Sequence, residues 1–336
     1  MRDPFKTARA AACVLALGLT MALSACGGAL SGGDDTGGGA AKHKKVAVLL
    51  YSQGFEFMVA LGDGIKQEAK RRGIDVTVLD AQEDSANQIQ QIEDQLAKGV
   101  DGIVLSPNNS EELVPGVKKI NDAGVPVVTV DSLVAGGKVD SAVAYDNVKA
   151  GQMGAKALGD LMKGKGTALE YEGRQGAFHA IRRGKGFKEG MKAFPGIKVI
   201  SRDSDWTADK ALSLTVDNLT SNKSISGLFS HNDEMVRGIV SGLKQTGHTA
   251  KAGQPGHIPV VGVDGTPLAL ERIRAGTQDA TVNQDPYVMG ALALKTLAQI
   301  LSDQKVPKEQ LTPPSMVTKQ NVDDPKLWGN RFKGVH

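Results

Sequence analysis

The stretch 258-IPVVGVDGTPLALERIRAGTQDATVNQDP-286 decides how this chain folds. Pro259-Val-Val-Gly-Val263 is a short apolar run without helical periodicity, which predicts a buried parallel strand. Asp264-Gly265-Thr266-Pro267 ends it: glycine permits a tight turn, and threonine before proline suits a helix N-cap and first turn. Leu268, Leu270 and Ile273 then predict a helix, and Ala280-Thr-Val-Asn283 a second strand ending at Gln284. Asp264 and Gln284 thus stand at the carboxyl ends of two buried strands. That edge is where open α/β sheets bind ligands.

The same alternation runs outward through the chain. Val46–Tyr51, Asp75–Asp80, Gly102–Leu105 and Val125–Val130 read as strands. Helices over Met58–Arg72, Ser85–Leu96 and Ser110–Asn121 separate them, with Ser85 as the expected cap of the second. Beyond Ser141–Ala144, a second set places helices at Asp146–Met162, Ala177–Phe194, Thr207–Leu219 and Asp233–Gln245. Strands at Gly166–Tyr171, Ile197–Ile200 and Ser226–Phe229 alternate with them. A helix over Tyr287–Leu301 and a last strand near Met316–Thr318 follow. Repeated βα units close into parallel sheets with right-handed crossovers. The expectation is an α/β fold of two Rossmann-like lobes, 46–145 plus 285–314 and 146–284 plus 315–336, with crossings at Tyr145-Asp146 and Gln284-Asp285.

Composition narrows the function. The 336 residues carry 40 Lys+Arg against 37 Asp+Glu, and the basic residues are scattered. Without a lysine-arginine tract or an aromatic-interleaved basic patch, nucleic acid is not an expected partner. Arg2, Lys6 and Arg9 precede an apolar run from Ala10 to Leu23, too short to span a bilayer, which takes about 20 apolar residues. Residues 1–26 read as a targeting segment. Leu23-Ser-Ala-Cys26 resembles the lipobox of bacterial lipoproteins, in which Cys26 becomes the lipidated first residue. An ordinary secretory signal or an uncleaved anchor is the alternative. The two cysteines are Cys13 and Cys26, so none is left for a disulfide or a thiolate metal site in the folded part. Residues 27–45, rich in glycine, read as a flexible tether, with the folded body starting near Val46.

Polar residues recur just beyond the strands. Ser52 to Phe57, Ser106 and Asp131 follow strands of the first set; Glu172 to His179 with Arg183, then Asp205-Trp206, Asn232, Asp264 and Gln284, follow strands of the second. Carboxylates, amides and a guanidinium bond hydroxyls, and flat rings cover the C–H faces of a sugar. Each residue also has a structural role open to it. Asp264 suits a turn, Asn232 an N-cap, Arg183 a solvated helix surface, and Phe57 and Trp206 packing.

Several motifs together resemble the ribose-type periplasmic binding proteins, the sugar-binding components of ABC importers. They are Ser230-His-Asn-Asp-Glu-Met235, Val261-Gly-Val-Asp-Gly-Thr-Pro267, Thr281-Val-Asn-Gln-Asp-Pro286, Val127-Val-Thr-Val-Asp131, Asp146-Asn147 and Arg183-Gly-Lys-Gly-Phe187. The resemblance implies two lobes joined by three crossing segments, ligand in the cleft, and closure by hinge bending. It also implies that Asp131, Arg183, Asn232, Asp264 and Gln284 bond ligand hydroxyls, with Phe57 and Trp206 sandwiching the ring. Asp131 is followed by Ser132 where ribose binders have arginine; Phe55 and Ser106 replace asparagines. These departures put another pentose, a hexose, a polyol or a cyclitol beside ribose, and make Gln175 and His179 candidate replacement donors.

The expected function is binding without chemistry: a monomeric lipoprotein, outside the cytoplasm and held to the membrane by Cys26, that delivers a monosaccharide or polyol to an ABC permease. A receptor presenting ligand to a membrane sensor is the alternative. A glycoside-cleaving enzyme using Asp131 and Asp264 is a weaker one. Neither a GxSxG elbow, an HExxH helix nor a P-loop occurs, and no cofactor or metal is expected. A DNA-binding regulator of the same fold would need an N-terminal helix-turn-helix where this chain has its targeting segment.

Overall fold

Five apolar residues in succession make β1 (Lys45–Leu50) a strand buried on both faces. The structure, a computed structural model, describes residues 43–334. After β1 the first lobe adds α1 (Glu56–Arg72), β2 (Asp75–Asp80), α2 (Ser85–Ala97), β3 (Gly102–Leu105), α3 (Val114–Asp122), β4 (Val127–Asp131) and β5 (Ser141–Tyr145). The second runs α4 (Asn147–Leu161), β6 (Lys165–Glu172), α5 (Phe178–Met191), β7 (Gly196–Asp203), α6 (Ala208–Ser221) and β8 (Ile225–Ser230). It continues with α7 (Asp233–Gln245), β9 (Val260–Asp264), α8 (Pro267–Ala275) and β10 (Ala280–Asn283). The chain then returns to the first lobe as α9 (Pro286–Ile300) and β11 (Glu309–Thr312), and ends on the second with β12 (Ser315–Thr318) and α10 (Trp328–Arg331).

Two six-stranded sheets result, ordered β2-β1-β3-β4-β5-β11 and β7-β6-β8-β9-β10-β12. All pairs are parallel except β10 with β12. The order 2-1-3-4-5 occurs in both, so each sheet has a switch point beside its first strand, the place where open α/β sheets bind ligands. This is the two-lobed α/β architecture expected from the sequence.

The three passages between the sheets are tied together. Tyr145 Oη donates to Asn283 O at 3.1 Å, Asp146 N to Thr312 O at 3.1 Å, and Asn283 Nδ2 to Ser315 Oγ at 3.4 Å. Close helix packing also serves the site. A Cβ at Gly151 of α4 would collide with the backbone of Arg183, and one at Gly186 of α5 with the backbone of Val148. Only glycine lets α4 and α5 approach this closely, and that approach sets the position of Arg183.

Local chemistry explains where elements begin. Thr266 caps α8 through its hydroxyl to Ala269 N at 3.2 Å, with Pro267 in the first turn, as its sequence predicts. Ser85 is not the cap of α2; Asp84, extended, accepts from Asn87 N at 2.9 Å instead. Helix α3 starts at Val114 rather than Ser110. Asn109 Oδ1 accepts from the amides of Glu111 and Glu112 at 2.9 and 3.1 Å, closing a side-chain turn that delays the helix. Strand β11 and helix α10 are absent from the sequence-based expectation: Glu-Gln-Leu-Thr is too polar to read as a strand, and α10 is a single turn.

Candidate functional site

Asp131 ends β4 and Asp264 ends β9, the fourth strand of each lobe in chain order. Both adopt positive φ, 69° for Asp131 and 121° for Asp264. That conformation is costly for a residue with a Cβ and persists only where its surroundings hold it.

Arg183 joins the two. It lies in the second turn of α5 and is 4% exposed. Its Nε donates to Asn147 Oδ1 at 2.7 Å, Nη2 to Gln284 Oε1 at 2.9 Å, and Nη1 to the carbonyl of His231. Nη1 also stands 3.6 Å from Asp264 Oδ1. Gln284, in the crossing after β10, passes the link on, its Nε2 donating to Asp131 Oδ1 at 3.3 Å. His179, from the start of α5, reaches across the lobes to place Nε2 3.1 Å from Asp131 O. One buried network therefore holds a carboxylate from each lobe.

Trp206 lies beside this network, its ring 5.9 Å from the Arg183 guanidinium and near the rings of His179 and His231. Gly173 leaves the space the indole occupies, since a Cβ there would overlap it. Phe57 is half-buried and turns its edge to Trp328, with centroids 6.2 Å apart. Ser106, directly after β3, is fully buried, and its hydroxyl has no hydrogen-bond partner. Phe55 is the outlier, 42% exposed at the start of α1, 6.0 Å from Tyr51. The side-chain oxygen of Asn232 is taken by the N-cap of α7, accepting from Met235 N at 2.8 Å.

Electrostatics set the carboxylates apart. Burial pushes the Asp264 carboxyl up to about 8; Arg183 pulls it down, while Asp233 and Asp131 add to the rise. Its side chain keeps 17% of its surface exposed, so water tempers this field. Asp233 is buried beneath the turn after Asp264. It accepts from Gly265 N at 2.7 Å, Thr281 Oγ1 at 2.8 Å and Gln278 Nε2 at 2.8 Å. Burial raises its carboxyl as well, and those hydrogen bonds oppose the rise.

Three site residues escape a sequence reading. Burial drives the Tyr51 phenol far up, with Asp131, Glu83 and Asp264 adding to it, so the ring senses both carboxylates. As the residue directly after β1, its strand-end position was the available signal. Asn147 and Asp233 act through partners 36 and 32 residues away in the chain, and spacing gives no sign of those pairings. Among the described residues, no group of three or more His, Cys, Asp or Glu side chains is placed to hold a metal. The arrangement offers acceptors, fork donors and an indole face.

The periplasmic binding protein domain family matches residues 46–305. The ribose import binding protein of Bacillus subtilis is 36% identical over 266 residues, which is 79% of this chain and 84% of that protein. The D-allose-binding periplasmic protein of Escherichia coli is 32% identical over 271 residues, 77% of this chain and 85% of the other. A solved ABC transporter periplasmic solute binding protein from Actinobacillus succinogenes, with bound D-allose, superposes with a TM-score of 0.76 at 29% identity. That alignment covers 84% of this chain and 99% of the other. This chain belongs to the periplasmic binding protein family, as its motifs led one to expect. Cys26 lies outside the described residues, and among those described no helix is long and apolar enough to cross a membrane.

Proposed function

We propose that this protein captures a sugar or polyol between its lobes and delivers it to an ABC permease. The observation that carries this reading is the Asp131–Gln284–Arg183–Asp264 network, which brings hydroxyl-bonding groups of both lobes together beside Trp206. Relatives named for ribose and D-allose support the substrate class. In this reading Asp131, Asp264, Arg183 and Gln284 exchange part of their mutual bonding for ligand hydroxyls. Each charge-assisted bond contributes about 1.5–3 kcal/mol against the cost of ordering the ligand. Ser106, with its buried unpartnered hydroxyl, supplies one more contact from the floor. Trp206 and Phe57 cover the apolar faces, Phe55 closes the rim, and Asn232 contributes through its amide nitrogen, its oxygen being committed to the cap. Ser132 stands in place of a second guanidinium, which puts another pentose, a hexose, a polyol or a cyclitol beside ribose as the ligand.

The same proposal makes the chain a monomeric lipoprotein that works outside the cytoplasm, held to the membrane by a lipid on Cys26, without catalytic activity. Native mass spectrometry of freshly purified protein, followed by calorimetric titration with ribose, allose, arabinose, xylitol and myo-inositol, tests the ligand. A bound sugar or polyol is expected; no binding by any of the panel refutes capture. Metabolic labelling with a fatty acid tests the anchor, with loss of label expected in Cys26→Ala.

A further inference from the structure

The chain does not end at its last strand. Residues 319–334 leave β12, cross over α8 and lie against the turn that carries Asp264, beyond the part matched to the family. Trp328, fully buried, donates its indole N–H to Asp264 O at 2.7 Å. Gly329 presses on the same turn: a Cβ there would stand 2.6 Å from Gly265 O and 3.0 Å from Pro267 N. Arg331 fastens the far end, with Nη2 2.6 Å from Asp285 Oδ2 and its guanidinium 4.8 Å from the Tyr287 ring. Arg274 braces the segment through Asp323 at 2.7 Å and Asn330 at 2.6 Å.

The peptide joining Asp264 to Gly265 is pinned at both ends. Its carbonyl accepts from Gln284 N at 3.0 Å and from Trp328 Nε1, and its N–H donates to Asp233 Oδ2 at 2.7 Å. A φ of 121° at Asp264 needs such over-determination. Trp328 also meets Phe57 of the opposite lobe, so one ring touches the backbone of one site residue and the side chain of another. From this juxtaposition we infer that the carboxyl-terminal segment is a strap in which Trp328 is a positioning residue: it holds Asp264 in its strained conformation and so aims the carboxylate at the ligand.

The role in ligand aim rests on the sugar-binding reading; the hold on the backbone does not, and the two are tested separately. Trp328→Phe keeps a ring and removes the N–H. Hydrogen–deuterium exchange on the ligand-free full chain is expected to speed at the Gly265 and Gln284 amides by about tenfold, with the strands of the first lobe unchanged. Unchanged exchange at those two amides overturns the strap. With D-ribose, D-allose and xylitol as probes, Trp328→Phe is expected to weaken whichever binds by about five- to tenfold, and to have no effect in an Asp264→Ala background. Equal weakening in both backgrounds refutes positioning and leaves general packing. If no probe binds wild type, the sugar reading falls while the exchange result still decides the hold. Should Trp328→Phe fail to fold, Arg331→Ala releases the exposed end of the strap, and the same exchange pattern is expected at about two- to threefold.

Discussion

Asp131 and Asp264 close the fourth strand of two sheets with the same order, yet they are held in different ways. Asp264 is fixed from within its own lobe and the adjoining crossing: Asp233 below, Gln284 N–H and Trp328 N–H on its carbonyl. Asp131 is paired within its own lobe to Ala144 of β5 and sits in a local turn, Ser132 N to Val130 O at 2.8 Å, while its carboxylate and carbonyl are met by Gln284 of the crossing and His179 of the opposite lobe. Asp264 is thus fixed mainly from its own lobe and the adjoining crossing, whereas the side-chain and carbonyl contacts of Asp131 come from outside its lobe. In a hinged pair that division separates binding from closure.

Arg183, shared by both halves, carries the largest expected effect. Arg183→Ala leaves Asn147 Oδ1 and Gln284 Oε1 without their donor and Asp264 without its paired cation in a buried setting, a cost of about 3–5 kcal/mol. Ligand binding should fall below detection and the chemical-denaturation midpoint should drop. Retention of both would break the network.

Next in size is a pH effect centred on Asp264. The folded Asp264 carboxyl, at about 8, lies above its ordinary 3.8, so the native chain binds this proton more tightly than the unfolded one. Stability from this group is fully present below about 3.8 and is lost as pH rises toward 8. Asp264→Asn should therefore flatten the fall in melting temperature of the ligand-free protein between pH 4 and 8, a difference of a few degrees by calorimetry. Asp131→Asn, which removes one of the charges that raise Asp264, should flatten it less than Asp264→Asn does. Equal slopes in wild type and Asp264→Asn would remove the distinction between the sides.

The smallest effect belongs to the bridge. His179→Ala should weaken ligand binding about two- to fivefold through the lost contact to Asp131, with melting temperature nearly unchanged. Trp206 and Trp328 are the chain's two tryptophans and both lie here, so intrinsic fluorescence reports the titration. A change in melting temperature without a change in affinity would make His179 a packing residue.

Much of this was legible in the residues. The β9–α8–β10 unit follows from apolar runs, Gly265 and the Thr266-Pro267 cap because each signal is local. Strand ends then point to Asp131, Asp264 and Gln284. Two kinds of feature stayed hidden. Polar or one-turn elements, β11 and α10, have no periodicity to read, so nothing in the sequence marks Trp328 as part of the site. Residues whose work depends on distant partners, such as Asp233 and Asn147, carry their meaning only once the sheets are assembled. Asn232 shows the converse: its local role as a cap was readable and is the one its oxygen performs.

The central claim is that acceptors from both lobes grip one ligand, and a calorimetric titration of wild type, Asp131→Ala, Asp264→Ala and the double variant tests it most directly. With the best-bound sugar or polyol, each single change should weaken binding at least about tenfold, and the double variant should lose less than the sum of the two free energies because closure links the sites. Undiminished affinity in either single variant would show that the ligand is held by one lobe alone, and the account would be wrong.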